Sequence, residues 1–189
     1  MVLNSRERVR CAINFEQPDR VPLNISFTVD IYNRVREYLG YPPETNPKVD
    51  LAWTTVSPDL KLLEELGVDC VDVSVASLRS WIDEEGYLVD EFGLKRRRVE
   101  NLSGGFYYEI VTSPLQNATV EDLENYPWPD PSDPTRYEGL EEKARYLYEN
   151  TNFALIGKFT QGIFEYPAYL RGHQQWFLDF ALNREFVEA

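Results

Sequence analysis

Histidine and cysteine are scarce in this sequence, which limits the metal chemistry that the chain can perform by itself. The 189 residues include one histidine, His173, and two cysteines, Cys11 and Cys70. Zinc sites are usually built from three or four Cys, His or carboxylate ligands at short spacings, and no Cys-x-x-Cys or His-x-x-x-His pattern occurs. We therefore expect no metal ligands from this chain, and two isolated thiols predict no disulfide framework.

Positive charge is also scarce, and no long apolar run is present. The chain has 32 acidic and 19 basic residues, a net charge of -13. Nucleic acids and anionic membrane surfaces are bound by clustered Lys and Arg, so we expect neither as a partner. No segment approaches the roughly 18 apolar residues of a membrane span, and the N-terminus lacks the apolar core of a signal peptide. These features predict a soluble, cytoplasmic protein.

Segments with helical and strand periodicity alternate along most of the chain. Asn4 and Glu7 have capping-box spacing, which predicts a first helix that ends near Phe15. Predicted strands cover 21–27, 68–76 and 153–159, and predicted helices cover 30–39, 58–66, 137–150, 164–170 and 174–189. With 43% apolar residues the chain can bury a core, and strands that alternate with helices predict a parallel sheet wrapped by helices.

The stretch 87–115 departs from this pattern. Short alternations at 87–89, 95–99 and 106–111 are separated by glycines, which predicts an antiparallel hairpin insertion. The basic run 95–98 falls in one of these strands, where side chains alternate between the two faces. We therefore expect a solvated strand with local ion pairs, with steering of an anionic ligand as the alternative.

Three strands of the β/α type are fewer than a closed barrel needs. A (β/α)8 barrel has about 250 residues and rarely fewer than about 200, so we expect 1–189 to form a single, incomplete domain. The last residues, 183–189, have a helical pattern with no stop signal after it, and the chain is expected to end before its fold does.

Several short segments, taken in their order along the chain, resemble the uroporphyrinogen decarboxylase (URO-D) superfamily, which includes the corrinoid- or cobalamin-dependent methyltransferases. They are Arg6-Glu7-Arg8-Val9, Pro18-Asp19-Arg20-Val21-Pro22, Asp90-Glu91-Phe92-Gly93, Thr119-Val120-Glu121-Asp122-Leu123, Tyr126-Pro127-Trp128-Pro129-Asp130-Pro131 and Tyr169-Leu170-Arg171-Gly172. The resemblance extends from end to end. It implies an α/β fold that is the N-terminal part of a (β/α)8 TIM barrel, with the site at the C-terminal ends of the strands.

The superfamily has two chemistries, and the residues at the positions of the decarboxylases' functional groups favour one of them. The decarboxylases carry an arginine pair after the first strand, which suits a substrate with many carboxylates, and a catalytic aspartate near the end of the second strand. Here 24–32 contains no arginine, Arg34 and Arg36 come later in a predicted helix, and the second position reads Ser74-Val75-Ala76-Ser77. These departures favour the methyltransferase-like branch.

On that branch the resemblance implies transfer of a methyl group from a corrinoid to a thiol activated by zinc, which is held by one His and two Cys. Those ligands lie in the second half of the barrel, so we expect zinc and a corrinoid in the full-length enzyme and an inactive fragment here. The partner is then a small-molecule substrate or a corrinoid protein. Two alternatives remain: a uroporphyrinogen III decarboxylase of porphyrin and heme biosynthesis, and a non-catalytic half-barrel assembly module that forms a homo-oligomer through exposed sheet edges.

Polar side chains at the strand ends form the predicted substrate pocket. Alternation places Asn24 and Ser26 on one face of the first strand and Asp72 and Ser74 on one face of the second, and in a barrel this face points into the lumen. The candidates that follow the third strand are Lys158, Thr160, Gln161 and, one helical turn onward, Glu165. Asp72 has two interpretations: it orients the substrate or supports a zinc ligand, or it belongs to a hydrogen-bond network in the lumen.

Overall fold

The chain contains helices and several sheets in two compact units. A computed structural model describes residues 2–51, 53–76, 78–102, 104–159 and 162–189. Unit 1 is Met1–Ser77 with Pro134–Phe159, and unit 2 is Leu78–Asp133 with Thr160–Ala189. The elements in chain order are α1 (Ser5–Ile13), β1 (Phe27–Thr28), α2 (Val29–Tyr38), β2 (Val49–Asp50), β3 (Thr55–Val56), α3 (Leu60–Glu65), β4 (Cys70–Ser74), β5 (Ser80–Ile82), β6 (Leu88–Asp90), β7 (Lys95–Glu100), β8 (Phe106–Thr112), α4 (Val120–Glu124), a 3-10 turn (Pro134–Arg136), α5 (Leu140–Asn150), β9 (Ala154–Lys158), α6 (Glu165–Arg171), α7 (His173–Leu182) and α8 (Arg184–Glu188). The fold is mixed α/β, and the described residues form no closed barrel.

The centre of unit 1 is a pair of parallel strands. β4 and β9 pair from Cys70 opposite Ala154 to Ser74 opposite Lys158. Both strands lie within the segments that alternation predicted, and their parallel direction is confirmed. Helices α1 and α5 contact both strands, as expected for helices that cover a parallel sheet.

The N-terminal helix is attached to the end of α5 by one arginine. Asn4 and Glu7 form the predicted capping box, which fixes the start of α1. From the first turn, Arg6 donates hydrogen bonds to the carbonyl oxygens of Tyr148 and Thr151 at the end of α5, the second at 2.7 Å. Because the last carbonyls of a helix have no partners within the helix, a guanidinium satisfies them well.

The apolar core of unit 1 lies beside the parallel pair. Tyr32 of α2 and Leu62 of α3 are its most deeply buried members, and they pack with Phe27, Val56, Leu63, Val68 and Phe153. Val71 of β4 packs against this cluster. The valine face of β4 is therefore the core side, and the opposite face carries the polar residues.

The first predicted strand, 21–27, is wrong over most of its length. Residues 21–26 are irregular, and only Phe27 and Thr28 form a strand, which pairs antiparallel with β3. Leu23 donates its N–H to the Asp69 carboxylate and accepts the Asp69 N–H, each at 2.8 Å. A carboxylate therefore takes the place of a strand partner, and the adjacent Pro22 has no N–H to donate.

Unit 2 is built on a four-stranded antiparallel sheet with the order β5-β6-β7-β8. Three of its strands, β6 to β8, match the predicted hairpin segments, and β5 was not predicted. Leu94, Leu115, Tyr166 and Leu170 form the core between this sheet and α6. The predicted antiparallel insertion is thus present, with one strand more than expected.

The C-terminal helical segment is divided in two. A single helix over 174–189 was predicted, but α7 and α8 are separated at Asn183, which has φ -143° and ψ 61°. Asparagine tolerates such non-helical backbone because its short side chain can bond locally. Among the described residues, no helix combines the length and the apolar character needed to cross a lipid bilayer.

Candidate functional site

The candidate site lies at the carboxyl ends of β4 and β9, where three of the predicted residues share one face. In the parallel register Ser74 lies opposite Lys158, and the period of two puts Asp72 on the same side. The Lys158 ammonium is 3.1 Å from Asp72 Oδ2, and Lys143 of α5 donates to the Asp72 carbonyl oxygen at 3.2 Å. The strand ends therefore present a carboxylate, an ammonium and a hydroxyl together.

This ion pair is open to solvent. The side chains of Asp72 and Lys158 are 34% and 49% exposed. An exposed pair of this kind contributes little stability, about 0–1 kcal/mol. It can bind a ligand, since the ammonium attracts anionic groups and the carboxylate accepts hydrogen bonds from N–H or O–H groups.

Two of the other predicted pocket residues, Asn24 and Ser26, do not lie at these strand ends. Asn24 and Ser26 lie in the irregular segment before β1 and are exposed, because the strand that was to align them does not form. Thr160 and Gln161 lie outside the described residues. Glu165 begins α6 in unit 2, where it accepts a hydrogen bond from the Tyr169 hydroxyl at 2.6 Å.

The most deeply buried carboxylate of unit 1 is Asp69, which sequence reasoning missed. It accepts hydrogen bonds from Arg8 and Arg20 at 2.6 Å, and Arg8 also pairs with Asp19 at 2.6 Å. Burial by itself raises the pKa of Asp69, but the hydrogen bonds from Arg20, the Leu23 amide and Arg8 outweigh it and lower the pKa. The group stays ionised and fully paired, so it holds the fold together.

A second buried cluster, in unit 2, joins β6, β7 and α6. Asp90 pairs with Arg96 at 2.7 Å, accepts the Tyr166 hydroxyl, and caps the turn through the Phe92 and Leu94 amides. Burial first, and then the hydrogen bond to Asp90, raise the pKa of Tyr166 far above its ordinary value. Every polar group named here has a partner, so the cluster is structural.

Three residues of the basic run on β7 are accessible to solvent, and one is buried. Lys95 pairs with Asp83 and Glu85, Arg97 with Glu109, and Arg98 with Glu100, all with solvent access. This confirms the predicted ion pairs. Arg96 is the buried one: it lies opposite Leu88 in the strand register and pairs with Asp90, and its burial was not predicted.

Arg34 and Arg36 are the arginines that follow the position where the decarboxylases carry an arginine pair. Arg36 donates to the Pro42 carbonyl at 2.9 Å and lies over the rings of Tyr32 and Tyr41. Arg34 lies on an exposed part of α2. The cations at the candidate site are two lysines, and one of them, Lys158, already faces a carboxylate.

The described residues do not fit a zinc site. No group of three or more His, Cys, Asp or Glu side chains among them is arranged to hold a metal ion. Cys70 is buried in β4, where burial and then the nearby aspartates raise the pKa of its thiol and disfavour the thiolate that zinc needs. We assign no zinc ligand to this chain.

Known proteins give no independent assignment. No protein-family model, no curated protein and no solved structure matches the chain.

Proposed function

We propose that this chain is part of a (β/α)8 barrel enzyme of the URO-D superfamily, on the branch that transfers a methyl group from a corrinoid to a thiol. The observation that carries the proposal is the group of polar side chains, Asp72, Ser74 and Lys158, at the carboxyl ends of two parallel strands. Active sites of β/α barrels lie at this end of the strands. The resemblance of the short segments between Arg6 and Gly172, taken in their order along the chain, supports the same assignment.

The strand pair also supports the proposed barrel. β4 and β9 are parallel neighbours, and helices cover them through α1 and α5. Within the described residues neither strand has a second partner, so further parallel strands can add at both edges. In the proposed barrel the polar face of Asp72 and Ser74 lines the lumen.

The charge of the site favours methyl transfer over decarboxylation. A substrate with many carboxylates needs several cations, and bidentate arginines serve this best. The strand ends carry two lysines, Lys143 and Lys158, and no arginine pair, and the charge of Lys158 is offset by Asp72 at 3.1 Å. The net charge of -13 adds a long-range field that opposes a polyanionic substrate.

In the proposed reaction, the residues of this chain hold the methyl acceptor. The corrinoid, bound on a partner protein, supplies the methyl group. Asp72 fixes the Lys158 ammonium, and that ammonium stabilises the anionic form of a thiol bound at the strand ends. Ser74 offers a hydroxyl that can donate a hydrogen bond to the same ligand.

The proposal is tested by methyl transfer from methylcobalamin to a thiol, measured with the polypeptide that contains this sequence, with and without added zinc. Lys158→Gln is expected to reduce the rate about 10- to 100-fold, because it removes a charge that stabilises an anion at the site. Lys143→Gln is the matched control, since the Lys143 ammonium donates to the backbone oxygen of Asp72 and not to its carboxylate. It is expected to leave the rate within about twofold.

Two results would overturn the proposal. One is the absence of transfer at any zinc concentration, together with stepwise loss of carboxylates from uroporphyrinogen; this result assigns the decarboxylase chemistry. The other is a rate of transfer that Lys158→Gln and Lys143→Gln reduce equally. This result would show that Lys158 at the strand ends has no specific part in the reaction.

A further inference from the structure

A row of aromatic rings leads from the surface of unit 2 through its core to α6. This ring path consists of Trp128, Phe92, Tyr166 and Tyr169. The Phe92 ring lies 6.4 Å from the Trp128 ring and 5.1 Å from the Tyr166 ring, centre to centre. The Tyr166 and Tyr169 rings are 6.1 Å apart, so each ring is in contact with the next. Trp128 is 46% exposed and Tyr166 is 4% exposed, so the path begins at solvent and passes through the interior.

Unit 2 contains no sulfur atom that would compete with these rings for an oxidant. The stretches 78–133 and 160–189 have neither cysteine nor methionine, whose sulfur atoms are common sites of protein oxidation. A one-electron oxidant that reaches unit 2 therefore takes its electron from an aromatic side chain. Trp128 is open to such an oxidant and touches the next ring of the path.

The tyrosines near Trp128 differ in the group that accepts their phenolic proton. A phenol that loses an electron becomes strongly acidic, so its radical forms readily where a base takes the proton. Tyr169 donates its hydroxyl to Glu165 Oε1 at 2.6 Å, and this carboxylate is exposed to water, which can receive the proton in turn. Tyr126 has its ring 4.7 Å from the Trp128 ring, but it donates to the backbone carbonyl of Phe92 at 2.6 Å, and a carbonyl is not a base.

Tyr166 is placed to relay an electron and is poorly placed to keep a radical. It donates its hydroxyl to Asp90, whose carboxylate also holds Arg96 at 2.7 Å. Arg96 is buried, so a proton on Asp90 would leave a buried guanidinium without its counter-charge, which is costly. The base beside Tyr169 has no such second duty toward a buried cation. The stable end of the ring path is therefore Tyr169.

We propose that the ring path conducts a one-electron oxidation from Trp128 to Tyr169, and that unit 2 thereby disposes of radicals that react at its surface. The radical takes one electron from the Trp128 indole and is reduced. Tyr169 replaces that electron through Tyr166 and Phe92, and its phenolic proton moves to Glu165. Ascorbate then gives one electron to the phenoxyl radical and loses its own proton to water, while Glu165 returns the phenolic proton. The cycle is independent of the proposed methyl transfer.

Pulse radiolysis of the 189-residue chain with azide radicals tests the proposal, because each radical oxidises an indole by one electron and is reduced to azide. We expect part of the indolyl absorption to decay while phenoxyl absorption rises, at a rate that does not depend on protein concentration. Tyr169→Phe removes one hydroxyl and is expected to abolish this phenoxyl product. Glu165→Gln removes the base and is expected to slow the conversion about 10- to 100-fold. Added ascorbate is expected to remove the phenoxyl radical.

Matched variants separate the ring path from other aromatic residues. Trp128→Phe is expected to abolish the conversion, whereas Trp81→Phe makes the same change at another half-exposed indole and is expected to preserve it. Tyr107→Phe removes a half-exposed phenol of β8 and is also expected to preserve it. Should Trp128→Phe fail to fold, as judged by circular dichroism, Tyr169→Phe decides the question. A rate that rises with protein concentration, equal losses for Tyr107→Phe and Tyr169→Phe, an unchanged rate in Glu165→Gln, or a phenoxyl radical that ascorbate leaves intact overturns the proposal.

Discussion

Asp69→Asn is expected to destabilise unit 1 by about 3 kcal/mol. The Asp69 carboxylate has no exposed surface and accepts hydrogen bonds from Arg8, Arg20 and the Leu23 amide at 2.6 to 2.8 Å. Asparagine keeps the size of the side chain but leaves both guanidinium groups facing a neutral amide. Loss of one partner from a buried ion pair costs about 3–5 kcal/mol. Arg8 keeps Asp19 as a partner and Arg20 is partly exposed, so the lower end of that range applies.

The assay is urea denaturation followed by circular dichroism at one fixed protein concentration, which gives the free energy of unfolding. Asp72→Asn is the matched control, because it removes the same charge a few residues further along the chain. Its partner Lys158 is half exposed, so the expected loss is below about 1 kcal/mol. The two variants therefore differ by about 2 kcal/mol in the free energy of unfolding.

The pH dependence gives a second measurement of the same group. The pKa of Asp69 is lowered in the folded chain, so its contribution is present above the unfolded value of about 3.9 and is lost as the pH falls toward the folded value. Asp69→Asn is expected to lose stability less steeply than the wild type below about pH 5. Equal losses of unfolding free energy for Asp69→Asn and Asp72→Asn would refute the reasoning. So would an Asp69→Asn variant whose stability falls below about pH 5 as steeply as that of the wild type.

Three further predictions concern unit 2, each measured by the same denaturation assay. Trp176→Phe removes an indole N–H that is buried without an acceptor among the described residues, and it is expected to leave stability unchanged or raise it by up to about 1 kcal/mol. Tyr166→Phe is expected to cost about 1 kcal/mol, whereas Asp90→Asn costs about 3 kcal/mol, because only the second variant leaves a buried arginine unpaired; equal costs would contradict the assigned roles. Gly93→Ala is expected to cost more than about 1–2 kcal/mol, since φ is +75° and the added Cβ would lie 3.1 Å from a tyrosine hydroxyl, while Gly86→Ala at φ +85° meets open space and costs only the backbone strain.

Sequence patterns predicted the elements that depend on local signals. The capping box at Asn4 marks the start of α1 as expected. Alternation located β4, β9 and the strands β6, β7 and β8 of unit 2. The segment 21–27 has the same alternation but forms no strand over 21–26, because its backbone partner is the carboxylate of Asp69, more than 40 positions away. Such a contact leaves no trace in local periodicity.

The candidate site was predicted only in part, for a similar reason. Asp72, Ser74 and Lys158 come together because the register of two regular strands follows from their pattern. The buried ion pairs were missed, because a charged residue is normally exposed and its burial depends on a distant partner. Arg96 is an example: its neighbours in the basic run are solvated, and only the position of Asp90 makes it an interior residue.

The segments that carry the resemblance consist largely of residues that hold each unit together. Arg8, Asp19 and Arg20 surround Asp69, while Arg171 joins Asp179 to the Leu115 and Ala118 carbonyl oxygens. These contacts specify how the chain folds. The proposed reaction would depend on other positions, above all on the ends of β4 and β9, and substitutions that test it should be directed there.

The pairing of β4 with β9 also sets the order in which the chain folds as it is synthesised. Cys70 leaves the ribosome well before Ala154, its partner in the register. At about 5–20 residues per second, the roughly 80 residues between them take on the order of 4–16 s to make. The whole antiparallel sheet of unit 2 emerges in that interval, while β4 still has a free edge. A translational pause before β9 would therefore leave β4 open to a chaperone or to a neighbouring nascent chain.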